Sequence, residues 1–132
     1  MMKIQAGLTL IELLVVIAII GIIASIATNQ YQQYLSQSKA MAAYTEIAAG
    51  KTNFIGHINN GETVSSVADI GLQSLTNHCA ITVTAASIRC ELQNTPSSLV
   101  NSTIVLNYDL IQDQWLCATT NMSADIRPKF CS

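Results

Sequence analysis

The sequence predicts an α+β chain: one long N-terminal helix, its first half apolar and protruding, its second half packed on a four-stranded antiparallel β-sheet head. Three observations carry this. The chain has 132 residues, enough for one domain, and only 11 % are charged although 50 % are hydrophobic. Between Met1 and Gln37 the only charged side chains are Lys3 and Glu12, and the others lie from Lys39 onward. A helical pattern in the first half gives way to period-two patterns in the second.

The same arithmetic excludes several classes. Six Lys and Arg against eight Asp and Glu leave a net charge of −2 with no adjacent basic residues, so no basic patch exists to neutralise phosphates, and sequence-specific nucleic-acid binding is not expected. High apolar content with low net charge argues against disorder. Only one apolar stretch approaches the roughly 20 residues that a spanning helix needs, which excludes a polytopic membrane protein.

That stretch runs from Leu8 to Ala27, with no polar side chain from Leu13 to Ala24. As a helix it is roughly 30 Å long, the thickness of a bilayer's hydrocarbon core. A secretory signal peptide ending near Ala24-Ser25-Ile26-Ala27 is the plainer reading, but the apolar run is long, continues into a helical pattern and contains Glu12. A carboxylate at the bilayer centre costs about 2.5–3.5 kcal/mol on insertion scales and usually has a function. Its nearest possible cation is a free amine at Leu8, created if the chain is cut after Gly7.

The segment Ala6-Gly7-Leu8-Thr9-Leu10-Ile11-Glu12, followed by the apolar run to Ala24, resembles the prepilin signature of type IV pilins and pseudopilins. The resemblance implies a leader over residues 1–7, cleavage between Gly7 and Leu8 by prepilin peptidase, N-methylation of Leu8, and pairing of Glu12 with the terminal amine of a neighbouring subunit. A buried ion pair is weak as net stability and strong as a specifier of register, so each subunit would enter the filament at one axial position. Two positions depart from the family: Leu8 stands where Phe is usual, and Asn29 where Pro commonly kinks the helix. A helix straight at Asn29 follows, with any melting in the filament nearer Gly21.

Residues 8–30 form the transmembrane and assembly half-helix. Residues 31–132 form the head. From Tyr31 the helix continues amphipathically, with Tyr31, Tyr34, Leu35, Met41, Ala42, Ala48, Ala49, Ile55 and Ile58 on one stripe that is expected to be core. Asn59-Asn60-Gly61 is the stop signal, giving a helix of roughly 78 Å. Gly50 and Gly56 weaken its last turns. His57 and His78 lack Cys or carboxylate partners at metal spacing, so solvated or capping roles are expected.

Residues 61–77 read as a connecting loop with one helical turn. Ile81 and Val83, then Ile88, Cys90 and Leu92, alternate with polar residues; Thr103 to Tyr108 and Gln114 to Thr119 are β-rich, with turns at 94–98 and 112–113. Four short strands in sequence suggest an antiparallel meander burying one face on the helix.

Four cysteines, Cys79, Cys90, Cys117 and Cys131, contain no C-x-x-C pair, which disfavours zinc and thioredoxin-like readings. An even number beyond a membrane anchor reads as two disulfides in an oxidising compartment. Of three connectivities, Cys79–Cys90 across a hairpin turning near Thr84-Ala85, with Cys117–Cys131 stapling the tail, is the expected one, each closure contributing about 2–4 kcal/mol. The stretch from Trp115-Leu116-Cys117 to Arg127-Pro128-Lys129-Phe130-Cys131 is similar to the disulfide loop of type IVa pilins. That likeness favours a pilin over a type II secretion pseudopilin, and makes Ser132 a candidate O-glycosylation site. Asn101-Ser102-Thr103 and Asn121-Met122-Ser123 match the N-glycosylation pattern weakly.

The expected function is therefore a structural filament subunit, not an enzyme, without cofactor or metal. It is stored in the inner membrane with its head in the periplasm and then assembled into an extracellular pilus on a Gram-negative surface. Its partners are copies of itself, prepilin peptidase and the assembly machinery. Adhesion, twitching motility and DNA uptake are what the resemblance implies. A minor pilin or pseudopilin is the alternative, and a membrane-tethered periplasmic binding module a further one. No Ser/His/Asp constellation, paired carboxylates or phosphate loop supports an enzyme.

Overall fold

A computed structural model describes residues 2–4 and 6–132. Helix α1 spans Leu10–Ala48 and helix α2 Lys51–Asn59; four strands follow, β1 Cys79–Thr84, β2 Ser87–Leu92, β3 Thr103–Asp109 and β4 Gln114–Thr120. The chain divides into two units, Met1–Tyr34 and Leu35–Ser132.

In the first unit α1 starts at Leu10, so Leu8 and Thr9 lie outside the helix that the sequence pattern began at Leu8. It runs unbroken through Gly21 and Asn29. Asn keeps the backbone N–H that Pro lacks, so no hydrogen bond is lost there. Among the described residues, all up to Gln32 are exposed. The polar side chains within this stretch bond to their own helix: Ser25 Oγ donates to the Ile22 carbonyl at 2.7 Å and Thr28 Oγ1 to the Ala24 carbonyl at 2.9 Å.

In the second unit the buried helical stripe is Ser36, Ala40, Ala43, Ile47 and Phe54. The apolar stripe expected from sequence is offset from it. Leu35 and Met41 are 44 % and 43 % exposed, and in the first unit Tyr31 and Tyr34 are exposed too. The reason is steric. Where the head packs closest on the helix the sequence supplies Ser and Ala, which a hydrophobicity count undervalues. Ser36 completes the pattern, its hydroxyl bonding that of Ser98 at 2.7 Å.

The helix breaks between Ala48 and Lys51 rather than running straight to Asn59. A Cβ at Gly50 would lie 2.8 Å from Ile70 Cδ1 and 2.9 Å from Leu72 Cδ1. Glycine lets the loop after α2 close on the helix here. α2 ends at the Asn59-Asn60-Gly61 signal. Gly61 is left-handed (φ 74°), and the Gly61 and Glu62 amides donate to the Ile58 and His57 carbonyls at 3.0 and 2.9 Å. This is the double bond of a Schellman cap. A 3-10 turn, Val67–Ile70, follows, started by a Ser66/Asp69 capping box and ended by left-handed Gly71.

The sheet order is β1-β2-β3-β4, every pair antiparallel. Ile81, Ile88, Leu92, Ile104, Leu106 and Tyr108 are buried on one face; Thr82, Arg89 and Glu91 alternate outward, as period two requires. Asn94, Asn101, Asp113 and Asn121 take left-handed φ between strands and loops, a conformation Asn and Asp tolerate better than other residues. Phe54 anchors the helix on the sheet, its ring 5.1 Å from Trp115 and 6.2 Å from Tyr108.

Candidate functional site

The first candidate site is the start of α1. Thr9 precedes the helix and Glu12 is the third helical residue. The Thr9 amide donates to Glu12 Oε2 at 2.8 Å, the Thr9 hydroxyl donates to the same oxygen at 3.0 Å, and the Glu12 amide donates to Thr9 Oγ1 at 3.2 Å. This is a reciprocal capping box, which satisfies orphan amides and places a negative charge at the positive end of the helix dipole. Sequence reasoning gave Glu12 a role between subunits and missed this one within the chain. The signal was present, since Thr9-Leu10-Ile11-Glu12 fits the S/T-x-x-E pattern before an apolar run. A carboxylate has about four lone-pair sites, so the box leaves Glu12 capacity for another donor. Gly7 and Leu8 are exposed, and a Cβ at Gly7 would meet nothing within 4 Å.

α1 is a helix long and apolar enough to cross a membrane. Its N-terminal stretch is apolar around its whole circumference, the pattern of a helix that lies in lipid or among other helices rather than on a water-facing surface.

The second site is the disulfide loop of the head. Cys117 and Cys131 are bonded, their Cα atoms 4.5 Å apart. The segment is also stitched to β4 by its backbone: the Thr119 amide donates to the Ser132 carbonyl at 2.9 Å and the Ser132 amide to the Cys117 carbonyl at 3.1 Å. These bonds cover part of an otherwise open sheet edge. Ser132 is exposed, and its hydroxyl donates to the Cys117 carbonyl at 3.4 Å. Gln37 Nε2 donates to the Asp125 carbonyl at 2.7 Å, and Tyr44 packs on Phe130 at 5.4 Å, so the loop rests on α1.

Cys79 and Cys90 are bonded with Cα atoms 5.2 Å apart. They are diagonal neighbours rather than opposite each other: Cys79 pairs with Leu92 and Cys90 with Ile81. On one face of a sheet such diagonal positions remain within reach. The opposite edge of the sheet is covered by the chain itself, with Thr76 donating to the Cys79 carbonyl at 2.8 Å and Ile81 to the Ser74 carbonyl at 2.7 Å.

The histidines hold loops rather than facing solvent or capping helices alone. His57 Nδ1 lies 2.7 Å from a Glu62 carboxylate oxygen and Nε2 3.0 Å from the Asp69 carbonyl. His78 Nδ1 lies 3.0 Å from Lys39 Nζ. Among the described residues, no group of three or more His, Cys, Asp or Glu side chains could hold a metal ion. Asp69 accepts the Ser65 and Ser66 amides at 3.0 and 2.8 Å, which hold its carboxyl down at about 2. Tyr108 donates to Asp113, and that bond raises its hydroxyl above the usual tyrosine range.

Comparison with known proteins matches both parts of the chain. The profile of the pilin family, described as a bacterial filament, matches residues 36–132. The chain belongs to the pilin family. The prokaryotic N-terminal methylation motif matches residues 2–28, so both ends of this type IV pilin, prepilin leader included, are accounted for. Fimbrial protein Q of Moraxella bovis is 50 % identical over 62 residues, 47 % of this chain and 40 % of that relative. The type IV major alpha-pilin of Moraxella bovis is 39 % identical over 62 residues, 47 % of this chain and 39 % of the relative. A fimbrial protein of Pseudomonas aeruginosa is 46 % identical over 67 residues, 51 % of this chain and 44 % of the relative. The aligned stretches thus span less than half the length of these relatives. Pilins are structural proteins of filaments, and the long helix with its four-stranded sheet is the fold of that family.

Proposed function

We propose that this pilin is a structural subunit of a type IV pilus, stored in the bacterial inner membrane through residues 8–30 with its head, residues 31–132, in the periplasm. Prepilin peptidase cuts the leader, residues 1–7, between Gly7 and Leu8 and the new terminus is methylated. The apolar helix then leaves the bilayer for the filament, where it packs against copies of itself. The observation that carries this reading is Glu12, the fifth residue after Gly7, in an exposed helix that is otherwise apolar all round.

A carboxylate in such surroundings is costly unless it is hydrogen-bonded and paired. The Thr9 cap supplies hydrogen bonds in the single subunit. In the filament the Leu8 amine of a neighbour supplies the charge, and that pairing fixes axial register. The disulfide loop Cys117–Cys131 supports a pilin over a secretion pseudopilin, and exposed Ser132 is a site for an O-linked glycan. Adhesion, twitching and DNA uptake are the family's uses of such filaments.

Glu12→Val tests this. The expected variant is inserted and cleaved but yields little filament when cells are sheared; normal piliation overturns the pairing. The alternative of a minor pilin is decided by abundance, since a major subunit dominates the sheared material.

A further inference from the structure

The head carries two complementary surface features. β3 and β4 pair Tyr108 with Trp115 and Asp109 with Gln114, and both aromatic rings pack on Phe54 of α2. The turn at 110–113 therefore projects from the α2 end of the head. It presents Leu110, 64 % exposed, and Ile111, 95 % exposed.

This tip is held in shape. The Asp109 carboxylate accepts the Ile111 and Gln112 amides at 2.9 and 3.2 Å, and Asp113, in left-handed conformation, accepts the Tyr108 hydroxyl. Two apolar side chains thus stand on a turn flanked by two carboxylates, and little conformational freedom is left to lose on docking.

Elsewhere on the head lies an apolar groove of about 370 Å³, between Gln37 and Met41 of α1 and the loop residues Ile126, Pro128 and Phe130. Arg127 and Lys129 line it, with Asp125 the one acidic side chain among the lining residues. Met41 lies on α1, and Phe54, which packs beside the tip, on α2.

An acidic apolar knob and a basic apolar groove are two different patches, so a contact of one with the other is heterologous. Such heterologous contacts do not satisfy themselves within a pair. They propagate, and give an open helix when the rotation does not close. We infer that the Leu110–Ile111 tip of one pilin docks in the Met41/Ile126/Phe130 groove of another copy, a contact between heads additional to the packing of apolar helices. The inference rests on the filament reading above.

The test places a photoreactive benzoylphenylalanine at position 111 of the full chain and irradiates sheared filaments, with crosslinked peptides mapped by mass spectrometry. The expected product joins residue 111 to Met41 or to residues 126–130 of a second copy, at least tenfold above the yield from detergent-dispersed subunits. Crosslinks to another segment of the pilin, to another protein, or none in intact filaments overturn it. Ile111→Asp is expected to lower sheared filament relative to cleaved membrane-held subunit about tenfold, and unchanged filament again overturns it. A chain that yields no filaments at all refutes the filament reading as a whole; normal filaments lacking this crosslink refute the docking alone.

Discussion

Phe54→Ala probes the contact that joins helix to sheet. Phe54 is fully buried and meets Trp115 and Tyr108 edge-on at 5.1 and 6.2 Å. Truncating a buried Phe costs about 3–5 kcal/mol, the lost transfer free energy plus the cavity; taking 4 kcal/mol includes the lost aromatic contacts. The head has about a hundred residues, so its unfolding entropy is roughly 0.2 kcal/mol/K, and the melting temperature should fall by about 20 °C. Trp115 is the only tryptophan and touches Phe54, so its fluorescence in the purified full chain reports melting of the head directly. Phe54→Leu should fall between the variant and the parent. A drop below about 5 °C for Phe54→Ala, the size expected for exposed Tyr34→Ala, would refute the packing argument.

Other substitutions test separate links. The Asp69 carboxyl is held at about 2, below its ordinary value, so its stabilisation is full above pH 4 and is lost as pH falls towards 2. The stability gap between the wild-type chain and Asp69→Asn should therefore be present at pH 7 and close by pH 2 in denaturant titrations. Thr9→Val should remove about 1 kcal/mol of capping from the start of α1, read as faster amide exchange at residues 9–13 in detergent, with Thr9→Ser restoring protection. Gly71→Ala should cost about 1–2 kcal/mol in thermal melts, because Gly71 sits at φ 75° and an added Cβ would lie 2.9 Å from Asn53 Nδ2. Replacing both Cys117 and Cys131 by Ser should cost about 3 kcal/mol in the chain-entropy picture, read by denaturant midpoint.

The strands were legible in the sequence because period two is unambiguous in a short exposed sheet: Ile88, Cys90 and Leu92 can face the core only if Arg89 and Glu91 do not. The helix stop was legible because Asn60-Gly61 supplies a residue that accepts left-handed φ. The buried face of α1 was not. Hydrophobicity pointed to Tyr31, Tyr34, Leu35 and Met41, whereas close approach of the head selects Ser36, Ala40 and Ala43, small residues whose burial depends on a partner surface that sequence does not display. The break at Gly50 was hidden for the same reason, since it answers Ile70 and Leu72, some twenty residues on. At the N-terminal site the meaning of Glu12 as an apolar-segment exception was plain, but that reading obscured its local use as the acid of a capping box.

Under the proposed function the chain works as a processed filament subunit. Intact mass spectrometry of material sheared from cells tests it most directly. The predicted mass is that of residues 8–132 plus one methyl group, less the four hydrogens lost in forming Cys79–Cys90 and Cys117–Cys131, with any glycan mass localised to Ser132. Sheared material retaining residues 1–7, or soluble protein beginning after Ala27, would contradict it.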